Sequence, residues 1–277
     1  MKLSTPVNIA PPKEAFRLND SIVLLGSCFA DNIAGKLSCA GFRICANPFG
    51  TLYNPASIRT AVERLDGTDL FGPEDCVEMG AGAGRICSFE HHTSFSRPTA
   101  EEFLANANAA LEEARSFWRT ANRVIISLGT AMVWYSGGRA VSNCLKRPAS
   151  EFCRRMLEIS EISDALQSIV DKHSEKRFTI TVSPIRHLGD GAHVNSISKA
   201  RLLVGSDGIA DYFPAFEIMT DELRDYRFYA DDLVHPAPVA INYIWERFLE
   251  SFVAPGDLDA IKENEKAARH SAHRSIL

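Results

Sequence analysis

Ser27 and Cys28 place a hydroxyl and a thiol side by side, after the apolar run Ile22 to Leu25 and Gly26 and before a segment with an apolar helical face. A thiol at the start of a helix ionises more readily than elsewhere, and the free N–H groups there can also hold an oxyanion. The surrounding elements predict such a placement. Ile22 to Leu25 has the character of a parallel strand covered on both faces, and Gly26 permits the sharp exit that such a strand makes. Phe29, Ile33 and Leu37, with Ala30 and Ala34 beside them, fall on one face of the helix that follows. The pair therefore stands at a strand-to-helix junction, where open α/β sheets bind ligands outside the carboxyl ends of their strands. The plainer reading of the same letters is an ordinary βα turn with two small residues.

The rest of the chain supplies the elements that such a site needs. A second short strand is expected over Gly41 to Cys45, then a rigid, polar loop holding Asn47, Pro48, Gly50, Asn54 and Pro55, then a helix over Ile58 to Leu65. Gly80 to Gly84 breaks all regularity and lacks the Lys-Ser or Lys-Thr of a phosphate-binding loop, so it reads as a hairpin tip. His91 and His92 are neighbours whose side chains point in different directions, and no carboxylate spacing supports a metal there. Thr99 to Glu102 is a capping-box pattern opening a helix, and a third strand follows at Arg123 to Ser127. Met132 to Ser142, with Gly137-Gly138 inside, reads as a hairpin insertion. Ser150 is the expected cap of a helix running to about His173, before a fourth strand at Phe178 to Val182.

Arg186, His187, Asp190 and Asn195 crowd the loop after that fourth strand and should border the same cleft. Arg186 is the candidate for holding an anionic or polar substrate group, with a structural salt bridge as the alternative. A short fifth strand is expected within Tyr212 to Met219, with a brief acidic helix from Thr220. The interleaved charges and aromatics of Asp225 to Tyr229 suggest an internal ion-pair network. Pro238 opens a final packing helix through Phe252.

Length and composition bound the class. A chain of 277 residues with 45% hydrophobic content fits one large α/β domain. The expected divisions are an extended arm over 1–20, the domain over 21–256 and a charged tail over 257–277. A net charge of −5 gives no general attraction to nucleic acid or to an anionic membrane surface, so neither is an expected partner. No apolar run has the length of a membrane span, and Met1 to Pro6 lacks the continuous apolar segment of a signal peptide; the expected location is the cytoplasm. Seven cysteines without paired metal-type spacing read as reduced, and no metal or cofactor is expected. Oligomeric state is left open.

Several motifs in one order resemble the GSCFA family, a branch of the SGNH (GDSL-type) hydrolase superfamily. They are Gly26-Ser27-Cys28-Phe29-Ala30, Asn47-Pro48-Phe49-Gly50 with Tyr53-Asn54-Pro55, Leu128-Gly129-Thr130, Ser183 to His187, Asp221 to Tyr229, and His235-Pro236. The resemblance implies a flavodoxin-like three-layer α/β/α sandwich with a mainly parallel sheet. It also implies that Asp232 orients and stabilises the imidazole of His235, which takes a proton from the nucleophile. Gly50 is the implied backbone donor to an oxyanion. At the family's third motif, Ala131 stands where SGNH enzymes usually carry an asparagine, so Thr130 or Asn143 would have to supply that donor. Asn54, His92, Arg186 and His187 are the implied substrate contacts. Laid without gaps on Gly-Asp-Ser-Leu, the first motif puts Cys28 at the nucleophile's place, whereas a one-residue shift would make it Ser27; the position favours Cys28. The reaction implied is acyl transfer from an ester, carbohydrate-linked or otherwise small, to water. Transfer to a sugar hydroxyl, or a binding module without catalysis, are the alternatives.

Overall fold

A computed structural model of the chain describes residues 4–274. Strands and helices alternate, beginning with β1 (Ser21–Gly26), α1 (Cys28–Ala40), β2 (Arg43–Ala46) and α2 (Pro55–Asp66). A small hairpin, β3 (Val77–Glu78) and β4 (Ile86–Cys87), turns through the Gly80 to Gly84 run and leads to α3 (Ala100–Thr120) and β5 (Arg123–Leu128). Next come β6 (Met132–Ser136), β7 (Arg139–Val141) and β8 (Cys153–Met156), then α4 (Ile159–Lys172), β9 (Arg177–Val182), α5 (Gly191–Ser206) and β10 (Asp211–Tyr212). The chain closes with the single turn α6 (Ala215–Glu217), a π-helical turn over Ile218–Leu223, α7 (Pro238–Phe252) and α8 (Leu258–Arg274).

Five of these strands make one sheet, in the order β10-β9-β5-β1-β2, with every pairing parallel. Parallel strands need helical crossovers, which cover both faces, and this is why β1 and β5 are buried along their whole length. Side chains alternate across β1. Val23 and Leu25 join the layer that α2, α3, α4 and α5 cover, whereas Ile22 and Leu24 join the layer under α1, α7 and α8. A flavodoxin-like three-layer α/β/α sandwich results. Each large side chain fully buried in these layers contributes about 1.5–3 kcal/mol.

Residues before β1 lie against the second layer. Phe16 is fully buried among Phe248 and Phe252 and bridges to Val253, and the Arg123 guanidinium lies over its ring. In α8, Ile261 is buried in the same layer and Asn264 donates to the Ala40 carbonyl at the end of α1.

Four expectations need correction. The helix expected from Ser150 starts only at Ile159, because Cys153–Met156 pairs antiparallel with β6 and makes a three-stranded sheet with β7. The helix is capped instead by Glu158 and Glu161. The fifth strand is the two-residue β10, ahead of most of the expected stretch, and the acidic helix is a π-helical turn that begins before Thr220. Asp225 to Tyr229 is no internal network. Tyr226 is 66% exposed, and among the described residues Arg227 pairs only with Asp225, two positions before it.

Candidate active site

β1 ends at the glycine its neighbour demands. Gly26 has φ +151°, and a Cβ there would run into the Ser127 carbonyl of β5. The Asn47 side chain accepts the Gly26 N–H at 2.8 Å and donates to Asp31 at 2.6 Å, so the exit from β1, the start of α1 and the loop after β2 are locked together. Ser27 then caps α1. Its hydroxyl accepts the Phe29 N–H and meets the Ser127 hydroxyl at 3.2 Å, with the residue wholly buried. That hydroxyl faces the sheet. Cys28, the first residue of α1, instead lines a cleft of about 410 Å³ at the carboxyl ends of the strands.

His235 lines the same cleft. Its Nδ1 lies 2.6 Å from Asp232 Oδ2, while Asp232 Oδ1 accepts the N–H groups of Val234 and His235, each at 2.9 Å. These bonds, the His235 N–H foremost, hold the Asp232 carboxyl down at about 2. A carboxylate fixed by two backbone donors leaves its other oxygen for the ring, which makes Nδ1 the protonated nitrogen and Nε2 the one free to take a proton. The turn is tied to the loop after β9, where Arg186 donates from its backbone to Val234 and from its guanidinium to Leu233.

The candidate oxyanion donors separate. Gly50 is outside the cleft and its N–H is spent on the Asn47 carbonyl at 2.7 Å; its φ of +77° and close approach to His92 explain the glycine. Thr130 lines the cleft, but its N–H goes to the Tyr53 carbonyl, and its hydroxyl accepts the Met132 N–H and pairs with Ser198. Asn143 and Asn54 are different. Each uses its side-chain oxygen to accept a backbone N–H, from Leu145 and from Ser57 respectively, which fixes the amide orientation and leaves the NH₂ as donor. Both line the cleft. The Cys28 N–H, first in its helix, has no acceptor within that helix.

Of the other candidates, Arg186 and His187 line the cleft and His92 does not. His92 caps the turn Thr93–Phe95 through Nδ1 and packs over Gly50. Its neighbour His91 is a core residue, caged by Phe49, Phe71, Phe95 and Phe103, and burial pushes it down to about 3. Arg186 makes no salt bridge among the described residues; its guanidinium lies by the rings of Tyr226 and Tyr229. His187 stacks edge-on to Tyr53, and its Nε2 has no hydrogen-bond partner. Burial first, then the nearby Lys199 and His235, push it down to about 4, so it is a neutral imidazole at neutral pH. Lys199, fully enclosed and pushed by burial down to about 7, donates to the carbonyls of Gly129 and Ser183 and ties the exits of β5 and β9 beneath the cleft.

Sequence reasoning missed Tyr53, whose hydroxyl lies 3.5 Å from Cys28 Sγ, and the wall formed by Met132, Trp134 and Arg154. Tyr53 stands in the Tyr53-Asn54-Pro55 motif of the resemblance, but nothing in the spacing assigned it a role. Arg154 lies over the Trp134 ring and pairs with Asp190.

The GSCFA family model matches residues 21–248. No curated protein matches. Among solved structures the chain is similar to the psychrotrophic esterase EstA from Pseudoalteromonas sp., in a structure inhibited by monoethylphosphonate. Identity is 13%, the TM-score is 0.38, and the match covers 84% of this chain and 96% of that one. A likeness that remote carries nothing about the chemistry. The family match, by contrast, runs from the first residue of β1 into the last turns of α7 and takes in every residue of the cleft, so the chain belongs to the GSCFA family.

Proposed function

We propose that the protein is an acyl hydrolase in which Cys28 attacks an ester carbonyl. The observation that carries this reading is the Asp232–His235 pair, oriented by two backbone N–H bonds, opening on the same cleft as the thiol at the start of α1. His235 Nε2 takes the thiol proton, and the thiolate bonds to the carbonyl carbon as the C=O electrons move to oxygen. The tetrahedral intermediate collapses with loss of the alcohol, to which His235 returns the proton. Water, deprotonated by the same imidazole, then releases the acid and restores the thiol. The Cys28 N–H and the amides of Asn54 and Asn143 are the candidate oxyanion donors; they are preferred to Gly50, whose N–H is already bonded, and to Thr130, whose N–H and hydroxyl are both engaged. Arg186, without a carboxylate partner among the described residues, would hold an anionic or polar part of the substrate.

Ser27 is the weaker nucleophile because its hydroxyl is buried against Ser127 and the α1 backbone. Intact-mass spectrometry after brief exposure to an activated ester, followed by peptide mapping, tests the assignment. An acyl adduct on Cys28, lost in Cys28→Ala and kept in Ser27→Ala, is expected. An adduct on Ser27 would transfer the role to the serine, and none on either would remove covalent catalysis. If an adduct forms but added sugar raises its turnover far more than water does, the protein is an acyltransferase instead.

A further inference from the structure

We infer that Tyr53 is a further catalytic residue, its phenolic O–H donating to Cys28 Sγ and stabilising the thiolate that attacks. The inference rests on reading Cys28 as the nucleophile. The Tyr53 oxygen lies 3.5 Å from Sγ, within reach for a sulfur acceptor, and it accepts the Thr51 hydroxyl proton at 3.1 Å. A phenol has one hydrogen of its own. With Thr51 pointing into its oxygen, that hydrogen is left for the sulfur, and a thiolate, which can only accept, forces this direction.

Tyr53 is held for this task from three sides. Its carbonyl accepts the N–H groups of both Gly129 and Thr130 at 2.8 Å, its ring packs edge-on against His187, and Thr51 is itself buried. Burial also pushes the phenol up to about 12, so it remains a donor at any ordinary pH. The loop that fails to supply an oxyanion donor through Gly50 thus supplies a thiolate donor three residues later.

Other charged or titratable groups near Cys28 are Asp31 one turn along α1, and Cys144, Arg154, Arg186, His187 and His235 around the cleft. All are kept in a Tyr53→Phe variant, which also keeps the ring against His187. A hydrogen bond to a charged acceptor corresponds to a shift of about one pH unit in thiol ionisation. Losing it leaves about tenfold less thiolate at neutral pH, but each thiolate becomes about threefold more nucleophilic.

The test is the rate of iodoacetamide labelling of the Cys28 peptide from pH 6 to 10.5, read by mass spectrometry. Cys45 and Cys87, pushed by burial up to about 11, are mapped separately. Tyr53→Phe should label about threefold more slowly than wild type at pH 7 and faster than wild type at the alkaline end of the range, approaching about threefold once both thiols are ionised, the two curves crossing. Thr51→Val, which weakens the donor without removing it, should move the curve the same way by less, and stands in if Tyr53→Phe does not fold. Superimposable curves, a uniform slowing without a crossing, or a Cys28 that labels at no pH would each overturn the inference. Labelling does not depend on turnover. A shifted curve without any acyl adduct would keep Tyr53 as the thiolate's partner and remove acyl transfer itself.

Discussion

The two flanks of the cleft are held in opposite ways. On the Cys28 flank, residues distant in sequence lock together: Asn47 bonds both Gly26 and Asp31, Tyr53 receives the ends of β5, and Ser27 meets Ser127. On the His235 flank most bonds are local, the exceptions being those that Arg186 donates to Leu233 and Val234. Asp232 holds Val234 and His235, Ala230 and His235 bond through their backbones, and the imidazole is 46% exposed. Cys28 therefore sits in the frame of the sheet, while His235 stands on a turn built mainly from its own bonds and held to the loop after β9 by Arg186. Damage to the first flank should appear as lost stability and damage to the second as lost rate.

The largest effect should come from the exposed flank. His235→Ala should lower turnover of a small activated ester by about a hundredfold or more, as loss of a general base does. Its urea midpoint should stay at the wild-type value. Asp232→Asn should impair the rate by about tenfold or more, since an amide no longer selects the Nδ1–H tautomer. Unchanged rates in both, or a large drop in midpoint, would erase the distinction between the flanks.

On the buried flank, Asn47→Ala removes two hydrogen bonds and leaves a residue without a helpful side chain at φ +43°. At about 1 kcal/mol for each bond plus the backbone cost, stability should fall by about 2–3 kcal/mol. Equilibrium urea unfolding measures it, and a loss below about 0.5 kcal/mol would mean that the junction does not depend on this asparagine.

The smallest effect sharpens the comparison between histidines. His91 and His187 have folded values pushed well below 6.5, to about 3 and about 4, so the unfolded chain takes up protons first as pH falls. Stability they permit above pH 6.5 is therefore lost progressively on acidification through this window. Urea midpoints between pH 7 and pH 5 should decline, and His91→Phe should flatten the slope. A midpoint independent of pH over that range would contradict the burial of both rings.

The strands at the centre of the sheet were legible because β1 and β5 carry apolar runs closed by Gly26 and Gly129, and β9 alternates Phe178, Ile180 and Val182 with threonines before Pro184. β8 was hidden. Cys153 to Met156 carries two arginines, and Ser150 with Phe152 and Met156 mimics the cap and stripe of the helix that actually starts at Ile159. β10 is only two residues long, too short for any period to show. At the site, Cys28, Asp232 and His235 stand in short motifs whose local geometry follows from spacing. Gly50 was misread because spacing does not tell whether an N–H already has an acceptor, and Thr130 reaches the cleft with its hydroxyl engaged by Met132 and Ser198. Tyr53 stayed invisible for a similar reason, since its meeting with Cys28 depends on how the loop after β2 folds back over the sheet.

The sheet of β6, β7 and β8 stands outside the parallel sheet, yet it brings Met132, Trp134 and Arg154 to the cleft that Cys28 and His235 share. One wall of the cleft and the junction that carries Cys28 therefore come from separate parts of the chain. A relative could lengthen, shorten or recharge this hairpin and change which alcohol or acid it admits while leaving the frame around the thiol untouched. For an engineer the same partition means that libraries should be confined to cleft-lining positions such as Met132, Trp134 and Arg154, because Val133 and Leu145 between them belong to the core.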